Sequence, residues 1–78
     1  MEIFAKRLKK LRKENKLSQK ELANMLGVTD KAVYLWEKGE REPSFKLAME
    51  IAKIFGISTD YLCGLEDEKE ELNDYEME

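Results

Sequence analysis

The chain has 78 residues, 42% hydrophobic and 40% charged, enough for one compact core and too few for a second beside it. It has no histidine and one cysteine, Cys63, which excludes an intrachain disulfide, the usual zinc sites, Ser-His-Asp and Cys-His nucleophiles and imidazole acid-base chemistry. The net charge of −3 hides an uneven distribution: residues 1–41 hold 11 Lys and Arg against 6 Asp and Glu, residues 42–65 hold 2 against 3, and residues 66–78 hold 1 against 8.

A basic first half suits a polyanion-facing surface, whereas an acidic end is more often a solvated tail than a partner site. No apolar run approaches the roughly 20 residues needed to span a bilayer. The start, Met1-Glu2-Ile3-Phe4-Ala5-Lys6-Arg7, lacks the uncharged stretch of a signal peptide. The chain is expected to be cytoplasmic, without a membrane partner, a metal or a cofactor, and with no catalysis.

Five helices are expected in chain order. Ile3, Phe4, Leu8 and Leu11 recur at helical spacing, with Lys6, Arg7, Lys9, Lys10 and Lys13 between them, so residues 2–14 read as a basic amphipathic helix closed by Asn15-Lys16. The basic residues read foremost as its solvated face. Ser18-Gln19-Lys20-Glu21 fits a capping box opening a second helix with Leu22, Ala23 and Leu26 inward and Gly27 at its end. Thr29 caps a third helix, Asp30 suits the positive end of its dipole, Val33 and Trp36 share one face, and Gly39 stops it. After Gly39-Glu40-Arg41-Glu42-Pro43, Ser44 caps a fourth helix whose Leu47, Ile51, Ile54 and Phe55 predict the backbone of the core. Ser58 caps a short fifth helix over residues 59–63, ended by Gly64. Cys63 reads as a small buried hydrophobe, and Tyr61, Leu62 and Leu65 as core edge, dimer contact or both.

The most informative stretch is QKELANMLGVTDKAVYLWEK, residues 19–38. Two helices crossing steeply over a short turn need a small residue where their backbones approach, a turn glycine and a β-branched residue inward from the second helix. Ala23, Gly27 and Val33 supply these, and Leu22, Leu26, Val28 and Trp36 fill the remaining inward positions. Thr29, Asp30, Lys31, Tyr34, Leu35 and Lys38 are left facing outward.

From Phe4 through LSQKELANMLGV and WEKGEREPS to IAKIFGISTDYL, the chain resembles the helix-turn-helix domains of the lambdoid phage repressor and Cro (XRE) family. The resemblance implies an all-α, five-helix DNA-binding domain over residues 1–65, followed by an acidic tail, 66–78, which reads as disordered or weakly helical. It also implies that the third helix enters the major groove of duplex DNA. By position, Gln19 and Thr29 are expected on phosphates, with Gln19 also bracing the third helix, and Lys38 and Arg41 on the backbone. Asp30, Lys31 and Leu35 are expected at base edges, with Tyr34 against a base or the sugar-phosphate wall. Lys31 can donate to guanine, Asp30 accept from cytosine and Leu35 meet a thymine methyl. Arg12 and Glu37 match a structural ion pair between the first and third helices.

The expected function is sequence-specific binding of double-stranded DNA as a homodimer, on an operator with an inverted repeat, by a transcriptional regulator, more often a repressor. The alternative is an antitoxin or adaptor whose main role is holding another protein, for which the acidic tail is the motive.

Overall fold

The computed structural model describes residues 2–66, and their regular elements are five helices: α1 (Glu2–Glu14), α2 (Gln19–Leu26), α3 (Asp30–Lys38), α4 (Phe45–Phe55) and α5 (Thr59–Cys63). The expectations about the rest of the acidic tail, 67–78, lie outside the described residues. No described helix is long and apolar enough to cross a membrane.

Local chemistry sets the boundaries. Ser18, Thr29, Ser44 and Ser58 each accept a hydrogen bond from a first-turn amide, satisfying a donor that the helix itself cannot. At Ser18 the box is complete: its hydroxyl accepts from the Glu21 amide at 3.0 Å, and its own amide donates to Glu21 Oε1 at 2.9 Å. The Ser18 amide, and after it the Ser18 hydroxyl, hold the Glu21 carboxyl below its usual pKa. α1 ends differently from the rest, because Lys16 takes the left-handed conformation (φ 57°) that glycine provides after the other helices.

The core draws on every helix: Phe4, Leu8 and Leu11 from α1, Leu22, Ala23 and Leu26 from α2, Val33 and Trp36 from α3, Ile51 and Ala52 from α4, and Leu62 from α5, with Ile57 from the turn before it. A chain this short gains most by having all five helices share one interior.

Four expectations need correction. Ile3 is half-exposed rather than core; its side chain lies at the edge, against Gly64, where an added Cβ would sit 2.9 Å from it. α4 buries Ala48, Ile51 and Ala52, while Leu47, Ile54 and Phe55 are only partly covered; small residues turn inward so that α4 can pack close. Cys63 is partly exposed rather than buried. Arg7 is not part of a solvated face: its Nη1 donates to the carbonyls of Tyr61 and of Glu66 (2.7 Å), and its guanidinium stacks 4.1 Å over the Tyr61 ring. It therefore fastens α5 and the residues just after it to α1, adding a second donor to the Tyr61 carbonyl, which also accepts from the Gly64 amide at 3.1 Å.

Of the three residues with an open role, Leu62 is fully buried, Tyr61 packs against the core and Leu65 is exposed.

Candidate nucleic-acid interface

α2 and α3 are joined by Gly27, Val28 and Thr29. Gly27 stands at φ 71°, a conformation costly for a side chain, and it lets the Val28 amide reach back to the Ala23 carbonyl at 3.0 Å. Ala23 (1% exposed) and Val33 (0%) are buried at the junction, as the close approach of the two helices demands.

α3 is held from behind by a polar cluster. Arg12 of α1 grips Glu37 of α3 with two bonds, Nε to Oε2 at 2.7 Å and Nη2 to Oε1 at 3.0 Å. Arg12 Nη1 also donates to the Leu17 carbonyl at 2.8 Å, and Gln19 Nε2 of α2 donates to Glu37 Oε1 at 3.2 Å. The Arg12 and Glu37 side chains are 10% and 3% exposed, and a planar guanidinium matched to a carboxylate is the favourable geometry at such a site. The hydrogen bond to Glu37 outweighs desolvation and raises the Arg12 pKa above its ordinary value. The cluster joins α1, α2 and α3, so the outward face of α3 is fixed relative to the rest of the domain.

That outward face carries the remaining expected residues. Thr29 is exposed, its Oγ1 accepting from the Ala32 amide at 3.2 Å, which leaves the hydroxyl proton for an acceptor such as phosphate. Asp30 Oδ1 accepts from the Lys31 amide at 3.0 Å, so its carboxylate is oriented at the start of the helix. Lys31 is exposed, Tyr34 is exposed and Leu35 is partly buried. Lys38 Nζ lies 3.2 Å from Glu40 Oε2 and 5.5 Å from the centre of the Tyr34 ring; the Glu40 hydrogen bond, then Tyr34, raises its pKa. An ion pair this exposed is weak and readily exchanged for a phosphate. Arg41 is exposed in the loop between α3 and α4.

The structure thus gathers Thr29, Asp30, Lys31, Tyr34, Leu35 and Lys38 on and beside one helix, with Arg41 past its end. Gln19 differs, since its amide nitrogen is turned onto Glu37 and braces α3. The Lys38–Glu40 pair was legible as a short-range charge pattern in residues 38–40. Nothing local marks the Arg7 clasp.

A capped helix presenting mixed polar and apolar side chains, fixed by a buried ion pair and entered through a tight glycine turn, is the helix-turn-helix arrangement. A helix-turn-helix family model matches residues 8–62, and the chain belongs to that family; its domain is of the Cro-like type found in lambdoid phage repressors. The helix-turn-helix-type transcriptional regulator YqaE of Bacillus subtilis is 39% identical over 72 residues, covering 92% of this chain and 62% of YqaE. A second curated relative, YonR of the SPbeta prophage in the same organism, is 38% identical over 60 residues, 77% of this chain and 56% of YonR. The chain therefore spans less than two-thirds of either relative. Among solved structures, the phage P22 c2 repressor in complex with a synthetic operator superposes with a TM-score of 0.74 at 32% identity, over 80% of this chain and 94% of that one.

Proposed function

We propose that this chain binds duplex DNA sequence-specifically, as a homodimer, and acts as a transcriptional repressor with α3 in the major groove. The observation that carries this reading is the outward face of α3, whose exposed side chains include a donor, an acceptor and an aromatic ring on a helix immobilised by the Arg12–Glu37–Gln19 cluster. The superposable P22 c2 repressor carries its operator on the same fold.

In this reading Lys31, Asp30 and Leu35 contact base edges, Tyr34 a base or the adjacent sugar, and Thr29, Lys38 and Arg41 phosphates. Gln19 braces α3 and presents its amide near the start of α2, where the dipole favours a phosphate. Residues 1–65 form the DNA-binding unit and 66–78 an acidic tail. A chain that works on chromosomal or phage DNA in a bacterium or archaeon acts in the cytoplasm.

The experiment is selection from a random duplex library at near-physiological salt, followed by sequencing. Enrichment of an inverted repeat supports a dimeric sequence reader. A folded sample that enriches no sequence overturns the reading.

A further inference from the structure

The last turn of α3 brings three side chains together. Gly39 takes the left-handed conformation (φ 76°) and the Glu40 amide donates back to the Leu35 carbonyl at 3.0 Å, so the chain leaving the helix folds onto its end. That return carries Glu40 Oε2 to 3.2 Å from Lys38 Nζ, and the same ammonium lies over the Tyr34 ring, one turn back, at 5.5 Å from its centre. The Lys38 cation thus stands between a carboxylate and an aromatic face, with the Lys38 and Glu40 side chains 51% and 56% exposed.

Glu40 is badly placed on general electrostatic grounds. The C-terminal end of a helix carries partial negative charge, which favours Lys38 and disfavours a carboxylate beside it. The outward side of α3 is also the surface read above as facing a polyanion, and there Glu40 and Asp30 oppose the three cations Lys31, Lys38 and Arg41. A carboxylate at that place weakens attraction to DNA. What offsets its position in the free domain is Lys38.

We propose that Glu40 is a positioning residue for DNA binding that acts through Lys38: in the free domain it holds the ammonium over Tyr34, and a phosphate must displace it to take the same cation. The inference rests on the DNA reading above and adds a residue that itself contacts no DNA. Carboxylate and phosphate compete for the same N–H donors of one ammonium, so binding exchanges one ion pair for another. The Glu40 hydrogen bond, and after it Tyr34, raise the Lys38 pKa, so the ammonium is charged in the free domain and ready for either acceptor. The effect is sequence-independent, because a phosphate contact carries no base information; Glu40 lowers affinity for every duplex alike. The exchange also uncovers the Tyr34 face, on the residue expected against a base or the sugar-phosphate wall.

Two measurements on the full chain test this, with every variant checked for folding by circular dichroism. In the free protein, an NMR titration of the Lys38 side chain is expected to show its pKa falling towards the ordinary lysine value in Glu40→Gln. The second is a fluorescence anisotropy titration of a random duplex of about 30 base pairs in about 0.1 M salt, where charges more than about 10 Å apart are largely screened. Glu40→Gln is expected to bind about threefold more tightly than the parent, the worth of one exposed pair. Lys38→Met is expected to bind more weakly, and adding Glu40→Gln to Lys38→Met should bring no gain, because the group through which Glu40 acts is gone. An equal gain with and without Lys38 would make Glu40 a mere contributor to net charge. That result, the absence of any gain in the parent background, or an unmoved Lys38 pKa overturns the proposal and leaves the DNA reading standing. A folded parent chain that binds no duplex overturns the DNA reading and the role of Glu40 with it, while the Lys38 pKa still reports the pair itself.

Discussion

Replacing Glu37 by glutamine probes the cluster that fixes α3. Its two carboxylate oxygens receive bonds from Arg12 Nε, Arg12 Nη2 and Gln19 Nε2 at 2.7, 3.0 and 3.2 Å. An amide of the same shape offers one oxygen and sets its own N–H groups against a donor, so at least one contact becomes repulsive. The Arg12 side chain, 10% exposed, is then left charged and incompletely paired. Breaking a buried pair from one side costs about 3–5 kcal/mol; since the shape and part of the bonding survive, about 3 kcal/mol is expected here. In a domain of this size each kcal/mol lowers the melting temperature by about 4–8 °C, giving a fall of about 12–24 °C, followed by circular dichroism at neutral pH and checked by urea unfolding. The double replacement Arg12→Met with Glu37→Leu is expected to be more stable than Glu37→Gln, because no unpaired charge remains inside. A loss below about 1 kcal/mol for Glu37→Gln would show a solvent-screened pair and refute the rigid-support argument.

Other outcomes are accessible to the same methods. Lys31→Ala is expected to cost about 1–3 kcal/mol of binding to the selected operator and to relax preference at one base position, whereas Lys38→Ala weakens all sequences and lowers the salt slope by about 1; a duplex titration that finds Lys31→Ala silent removes α3 from the groove. Lys16→Gly is expected to stabilise the fold by about 1 kcal/mol, because Lys16 holds a left-handed φ of 57° that glycine adopts without strain; chemical denaturation showing a loss would contradict this. Glu21, its folded pKa lowered by the bonds with Ser18, contributes stability that is fully present above the unfolded carboxyl pKa and lost as pH falls through the lower folded value. Glu21→Gln should therefore flatten the decline in melting temperature below about pH 4.3, and an unchanged acid profile would count against the capping box.

The helices and their limits were legible in the residues themselves, because the interactions that place them are local. A serine or threonine hydroxyl reaches an amide three residues on, a glycine turns the chain just past the last turn, and apolar side chains repeat with the helical period. The resemblance over residues 4–65 added the pairing of Arg12 with Glu37 across 25 positions, which no periodicity could supply. What only the tertiary structure decided were contacts between residues far apart in sequence and the choice of which apolar side chains stay outside. Arg7 looked like its basic neighbours until α5 brought two carbonyls and the Tyr61 ring onto it. That Gln19 braces α3 was implied by the resemblance, but its partner, the Glu37 carboxylate already held by Arg12, emerged only in the fold. Phe45 and Met49 were indistinguishable by hydrophobicity from the residues that fill the core; their exposure follows from the way α4 packs, with Ala48, Ile51 and Ala52 turned inward. Local sequence determines where a helix starts, stops and is amphipathic, whereas the angle at which it meets the others selects the part of its apolar surface that is buried.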